Sequence, residues 1–338
     1  MLKSIKPKIN ERNIGLQVLR MLLCLWVVLF HCLIRHESIA YKYMKEKKFH
    51  VPSFFFLSFF YFYPVIKDRN PFKMKSRLER LFIPFIIWPT FIWLTNNIFY
   101  FFLKKSLFRR EFLFKELIIQ FITGRKFYTP LWFIFNLIFF SIFFFIISKI
   151  LNETIFFIFM ILIGIICYVF QYNRFIYNFF KNYTGCIAFS VGHFVTSFPI
   201  AITALTFNKI NIIQYFEINR YKSLFIIFSI LPIIFLNGIP NTYEGIEKNL
   251  FSLFAFIGFY LLPLNKYLNK SFKKFIYIIT NYTNGIYCLH FIMYLFLKRL
   301  YKFHFSLFGC FLLYIICYTI SFLGTKIFIN YKIKYLFI

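Results

Sequence analysis

The chain has 338 residues, of which 60% are apolar and only 15% charged, with a formal net charge of +29. A soluble domain averages about 45–50% apolar and 25% charged residues, so a soluble globule could not cover this much apolar surface. Disorder is excluded on the opposite ground, because 25% of the residues are aromatic and phenylalanine alone occurs 57 times. One spanning helix takes about 20 apolar residues, and the apolar content is enough for about ten. The expected fold class is an all-α polytopic membrane protein, about ten transmembrane helices in one bundle, forming a single domain over 1–338.

The apolar runs predict spans at 14–34, 51–66, 81–103, 130–148, 154–171, 185–207, 223–237, 250–264, 275–297 and 305–324. Lys3, Lys6, Lys8 and Arg12 precede the first run, but no small-residue cleavage site follows, so it reads as an uncleaved span. The second, seventh and eighth runs are short, as tilted or partly re-entrant segments are. Pro199 is expected to kink the sixth. The connection 104–129 carries a polar–apolar alternation that fits an interfacial helix. No internal repeat is visible, which leaves an inverted-repeat transporter without support.

The cations fall in short clusters between apolar blocks, the pattern of loops that face water and lipid headgroups. Membrane lipid is thus the expected surrounding, and no nucleic-acid partner is expected. Counting Lys and Arg on alternate loops gives a small excess when the N-terminus is cytoplasmic. The seven cysteines include no pair at CxxC spacing, so they read as small buried hydrophobes and not as a disulfide framework or a zinc site.

Ionisable groups inside spans are costly and therefore informative. The first span holds Arg20 and His31. Eleven steps of about 100° bring both onto one face, about 16 Å apart along the axis. Gln17, Cys24 and Arg35 fall near the same stripe. Taken singly, each would be a group snorkelling to its own membrane surface; together on one face they read as a functional stripe. All eleven carboxylates lie outside the span cores, which removes the intramembrane acid that proton-coupled carriers usually need. What remains is a histidine without a carboxylate, suited to general-base work near neutral pH.

Just before the third span, Arg77 and Arg80 are three residues apart and share a face if helical. Two guanidinium groups there fit phosphate binding, and they equally fit a positive-inside anchor. Tyr287 and His290 lie on one turn of the ninth span, where a Tyr–His hydrogen bond or a substrate contact is expected. His193 sits in a small-residue patch and reads as structural, while His36, His50 and His304 read as solvated loop or edge residues.

In chain order, these stretches resemble the acyltransferase-3 family of integral membrane acyltransferases. The first-span motif reads Val18-Leu19-Arg20 through Val27-Val28-Leu29-Phe30-His31, and the second-span motif reads Val51-Pro52-Ser53-Phe54-Phe55-Phe56-Leu57-Ser58. An Arg-x-x-Arg followed by proline and tryptophan appears as Arg77, Arg80, Pro84 and Trp88. Leu131-Trp132-Phe133 and Gly285-Ile286-Tyr287 with His290 complete the set. Two departures stand out, Phe59 where the family usually has glycine and Glu79 between the two arginines.

The resemblance implies a ten-helix fold that takes an acyl group, usually acetyl, from cytoplasmic acyl-CoA. The acceptor it implies is a hydroxyl of a cell-surface or envelope glycan, or of a lipid-linked saccharide. It implies catalytic roles for His31 and Arg20, donor binding by Arg77 and Arg80, and supporting positions for Tyr287, His290 and Ser58. No metal is expected. The expected location is a bacterial inner membrane, crossed several times. Some family members carry a fused extracytoplasmic esterase-like domain, so a second acyl-transfer step would here need a separate extracytoplasmic partner. A transporter or flippase of a lipid-linked saccharide is the alternative reading of the polar face.

Overall fold

The computed structural model describes residues 13–33, 50–103, 113–124, 131–172, 186–211, 244–300 and 307–330. Their regular elements are all helical: α1 (Ile14–Leu33), α2 (His50–Phe60), α3 (Tyr63–Lys67), α4 (Pro71–Leu103), α5 (Phe114–Thr123), α6 (Trp132–Ile150), α7 (Glu153–Tyr172), α8 (Cys186–Lys209), α9 (Glu244–Leu261), α10 (Leu264–Tyr267), α11 (Lys270–Leu300) and α12 (Leu307–Asn330). The span expected at 223–237 lies outside the described residues, as do His36 and His304.

Among the described residues, α1, α4, α6, α7 and α12 are each long and apolar enough to cross a membrane. Large apolar side chains such as Ile86, Phe91, Ile158, Leu162, Ile166 and Val169 stand exposed on α4 and α7. Such a surface is stable against lipid tails and not against water. The protein is a polytopic membrane protein.

The last three expected spans shift by a few residues at their ends, and two earlier ones differ more, each for a local reason. The second divides into α2 and α3, broken at Tyr61 and Phe62, with Pro64 in the first turn of α3. The third begins ten residues early, at Pro71 and not at 81, so that Arg77 and Arg80 belong to the helix itself. Asn70 starts it, its Oδ1 accepting the Lys73 amide at 3.0 Å, and proline at the first helical position needs no amide donor. Glu79, between the arginines, lies 3.9 Å from Lys75 one turn back. The connection 104–129 does contain a helix, α5, but the face it buries includes Glu116, Gln120 and Thr123 beside Leu117. That face packs against the bundle, chiefly on α4, so it is protein and not headgroups that receives the polar side chains.

The core is built on α2, which packs against α1, α8 and α9. Phe55, Phe56, Phe59 and Phe62 are fully buried, with Phe56 against Phe256 at 4.6 Å and Phe59 edge-on to Phe144 at 5.5 Å. Phenylalanine thus fills the inter-helix space, at about 0.5–1.5 kcal/mol per well-placed ring pair beyond burial itself. At the end where α1 begins, Asn13 accepts the Leu16 amide with Oδ1 and donates from Nδ2 to the Tyr260 carbonyl at 2.9 Å. Next to it, a Cβ on Gly15 would stand 1.7 Å from the Phe259 carbonyl oxygen, so only glycine lets α1 and α9 approach this closely. Asn208 binds the Phe60 carbonyl at 2.6 Å, and Tyr63 donates to Glu153 at 2.8 Å. The starts of α1 and α7 and the ends of α2, α8 and α9 therefore gather at one end of the bundle, called here the near end.

Candidate functional site

α1 and α11 run parallel. Cys24 meets the Thr283 carbonyl, and His31 meets His290, seven residues further along in both helices. Seven residues are close to two turns, so one face of each helix remains turned to the other over this length. The polar stripe read from the sequence of α1 therefore has a partner stripe on α11.

The Arg20 side chain is half-buried, and its Nη2 donates to Asn284 Oδ1 at 2.8 Å. Asn284 precedes His290 by six residues, about 9 Å at 1.5 Å per residue. The guanidinium thus reaches towards His31 and shortens the separation of about 16 Å expected between the two backbone positions.

At the upper end of the stripe the His31 and His290 ring centroids are 5.2 Å apart, tilted by 44°. Phe291 stands edge-on to His31 at 5.4 Å, and Phe30 does so at 5.7 Å. His290 is fully buried, with Nδ1 3.1 Å from the Ile286 carbonyl oxygen one turn back. A carbonyl accepts only, so Nδ1 carries the proton and Nε2 is left as a lone-pair acceptor. That Nε2 is buried and has no hydrogen-bond partner. The Tyr–His hydrogen bond expected from the sequence is therefore not formed: the Tyr287 and His290 rings are 5.8 Å apart, and the His290 proton goes to the backbone. Tyr287 packs on Phe133 at 5.6 Å, which ties this site to the Leu131-Trp132-Phe133 segment.

His50, expected to be solvated, is buried at the start of α2, its ring 5.7 Å from Phe30. Both His50 and His290 lie within electrostatic range of His31. The sequence signal was its place directly before Val51-Pro52, at the foot of a phenylalanine-rich helix that has to be buried. His193 is stacked on Trp132 with centroids 3.7 Å apart, a packing arrangement consistent with the structural role expected of it.

Arg77 and Arg80 part company. Arg77 turns into the bundle, its Nε donating to Ser141 Oγ at 2.8 Å, Nη2 to Ser58 Oγ at 2.8 Å and Nη1 to the Ser58 carbonyl at 3.4 Å. Its charge lies 4.4 Å from the Phe62 ring centroid and 5.4 Å from that of Phe59. Phe59, the residue that departs from the family pattern, is thus one wall of a socket for a cation. Arg80 is exposed and donates from Nε to the Ser76 carbonyl of its own helix at 3.1 Å. Ser58 therefore belongs with Arg77 and not with the histidines. Its depth follows from α2: eight residues separate it from His50, about 12 Å along the axis towards the near end. Sequence reasoning missed Ser141, whose only signal is a lone hydroxyl within Phe139-Phe140-Ser141-Ile142-Phe143.

Along the helix axes, Arg20 and the Arg77 socket thus lie about 9–12 Å nearer the near end than the imidazoles of His31, His290 and His50. The arrangement offers a nitrogen base and positive charge on one side of it, the parts that acyl transfer to a hydroxyl requires.

No curated protein and no solved structure matches the chain. A family profile described as "Acyltransferase domain" does match, from residue 13 to residue 328. That match takes in α1 with its Arg20–His31 stripe, the Arg77 socket and all but the last two described residues of α12, and it makes this polytopic chain a membrane acyltransferase of the acyltransferase-3 family.

Proposed function

We propose that the protein is an O-acyltransferase of the bacterial inner membrane that moves an acyl group, acetyl as the simplest case, from cytoplasmic acyl-CoA to a hydroxyl of a cell-surface or envelope glycan. The observation that carries this reading is the paired stripe on α1 and α11, with the Arg20 guanidinium about two turns below an imidazole that faces a second imidazole. Family membership supplies the acyl donor and acceptor as classes.

In this reading the near end faces the cytoplasm. The donor phosphates lie at Arg80, whose guanidinium is exposed, with the positive charge of Arg77 in its socket behind it. The flexible pantetheine arm, longer when extended than the depth between the arginines and the imidazoles, brings the thioester to His31. One ring nitrogen of His31 takes the proton of the acceptor hydroxyl as its oxygen forms a bond to the thioester carbonyl carbon. Arg20 stabilises the oxyanion of the tetrahedral intermediate. Collapse breaks the carbon–sulfur bond, and the departing thiolate takes the proton from the imidazolium. The products are the O-acyl ester and free CoA thiol, with no change of oxidation state. A route through an acyl-enzyme, or through a separate extracytoplasmic partner, adds a further transfer of the same balance.

The test is mass spectrometry of the surface glycans of cells carrying wild-type protein or His31→Ala at equal membrane levels. Loss of one acyl mass in the variant is expected; unchanged acylation overturns the assignment. Membrane vesicles given labelled acetyl-CoA and acceptor separate transfer from transport, since a flippase moves saccharide without consuming the label.

A further inference from the structure

A histidine that serves as a base needs its second nitrogen held, because the hydrogen bond made there decides which nitrogen is free to take a proton. In many sites a carboxylate does this, but none of the described residues that touch the His31 ring is a carboxylate: its ring neighbours are Phe30, His290 and Phe291. The structure offers another acceptor. The His290 Nε2 lone pair is fully buried and without a partner, and its ring is fixed by the bond from Nδ1 to Ile286. The Cys317 thiol binds the His290 backbone carbonyl at 3.0 Å, which fastens this turn of α11 to α12. A buried acceptor left open is destabilising, so its retention calls for a reason.

Two imidazoles joined by one N–H···N bond of about 2.9 Å have centroids about 5 Å apart once both ring radii are added. The His31 and His290 centroids are 5.2 Å apart. The separation therefore matches that of two imidazoles joined through one such bond, and the bond would use the open Nε2 of His290.

We propose that His290 is the positioning residue of the acyl-transfer site. Its Nε2 accepts the N–H of His31, which fixes the tautomer of His31, turns the opposite nitrogen to the acceptor hydroxyl and stabilises the imidazolium formed there. This inference rests on the O-acyltransferase reading. His290 itself touches neither the thioester nor the acceptor and exchanges no proton with them. Being neutral, it orients His31 without placing a second formal charge in the membrane, where charge is costly.

The test uses full-length protein in lipid nanodiscs, as wild type, His290→Gln and His290→Leu. Gln keeps an acceptor near the position of Nε2, and Leu removes it. With acetyl-CoA and glycan acceptor, His290→Leu is expected to lower kcat about 100-fold while KM for acetyl-CoA changes by less than about twofold, and His290→Gln to recover about tenfold of that loss. Nitrogen-15 solid-state NMR, with His31→Gln used to assign the His31 signals, gives a readout that does not depend on turnover. A single His31 tautomer with a hydrogen-bonded N–H is expected in wild type and His290→Gln, and a tautomer mixture in His290→Leu. A His290→Leu enzyme with wild-type kcat, or a His31 spectrum that ignores residue 290, overturns the proposal. If the wild type transfers no acyl group from acetyl-CoA, acetyl-CoA is not the donor and that part of the O-acyltransferase reading fails, while the NMR comparison still decides whether the two rings are coupled.

Discussion

The two polar sites inside the bundle solve the same problem in opposite ways. Arg77 carries a full charge, yet two hydroxyls, a carbonyl and two aromatic rings surround it. His290 donates from Nδ1 to the Ile286 carbonyl, yet it keeps a buried nitrogen open beside His31. A satisfied group holds helices together, here α2, α4 and α6; an open one is available to something that arrives or rotates into place. The contrast separates the part of the polar interior that is structural from the part that is chemical, although residues of both parts sit in the family's motifs.

The sharpest way to break that division is His31→Ala. Acyl transfer is expected to fall by about 10³-fold or more, with thermal stability in detergent within about 1 kcal/mol of wild type. A large stability loss with partial activity would reverse the assignment of the two sites. Arg77→Ala is the mirror experiment. It strands the Ser58 and Ser141 hydroxyls and removes the cation between the rings, so a loss of about 2–4 kcal/mol is expected in thermal or denaturant unfolding. Arg77→Lys should recover only part of it, because an ammonium cannot reproduce the fork that spans Ser58 and Ser141.

Smaller effects refine the comparison. Ser141→Ala deletes one arm of the socket, and a loss of about 1 kcal/mol, measured by the same unfolding assay, is expected with KM for acyl-CoA unchanged. Arg80→Ala should do the converse: its side chain is exposed and, among the described residues, its bond is to its own helix, so stability should hold while KM for acyl-CoA rises by a factor of about 3–10. Equal KM effects from Arg80→Ala and Ser141→Ala would erase the distinction between an exposed phosphate ligand and a socket residue.

Much of this was legible in the residues. The apolar excess gave a helical membrane protein, and the 100° step between residues put Arg20 and His31 on one face of α1 before any neighbour was known. The motif order from Val18 to His290 identified the family that the profile match bears out over 13–328. The same reasoning failed where a partner mattered. It paired Arg77 with Arg80 because they are three apart, but one turned inward to hydroxyls on α2 and α6 and the other stayed outside. It left His50 in solvent because a histidine at a span boundary has no periodicity to mark it.

Sequence alone therefore determined which residues share a face, since helical geometry is local and repeats every 3.6 residues. The tertiary structure decided what each face meets. Arg20 finds Asn284 at a separation of 264 residues, and His31 finds His290 on the same helix. No period within α1 carries that information, because it depends on which helix packs beside which and at what height. The physical reason is the solvent: lipid drives helices to form but does not choose their neighbours, and close packing of Phe55, Phe56, Phe59 and their partners makes that choice.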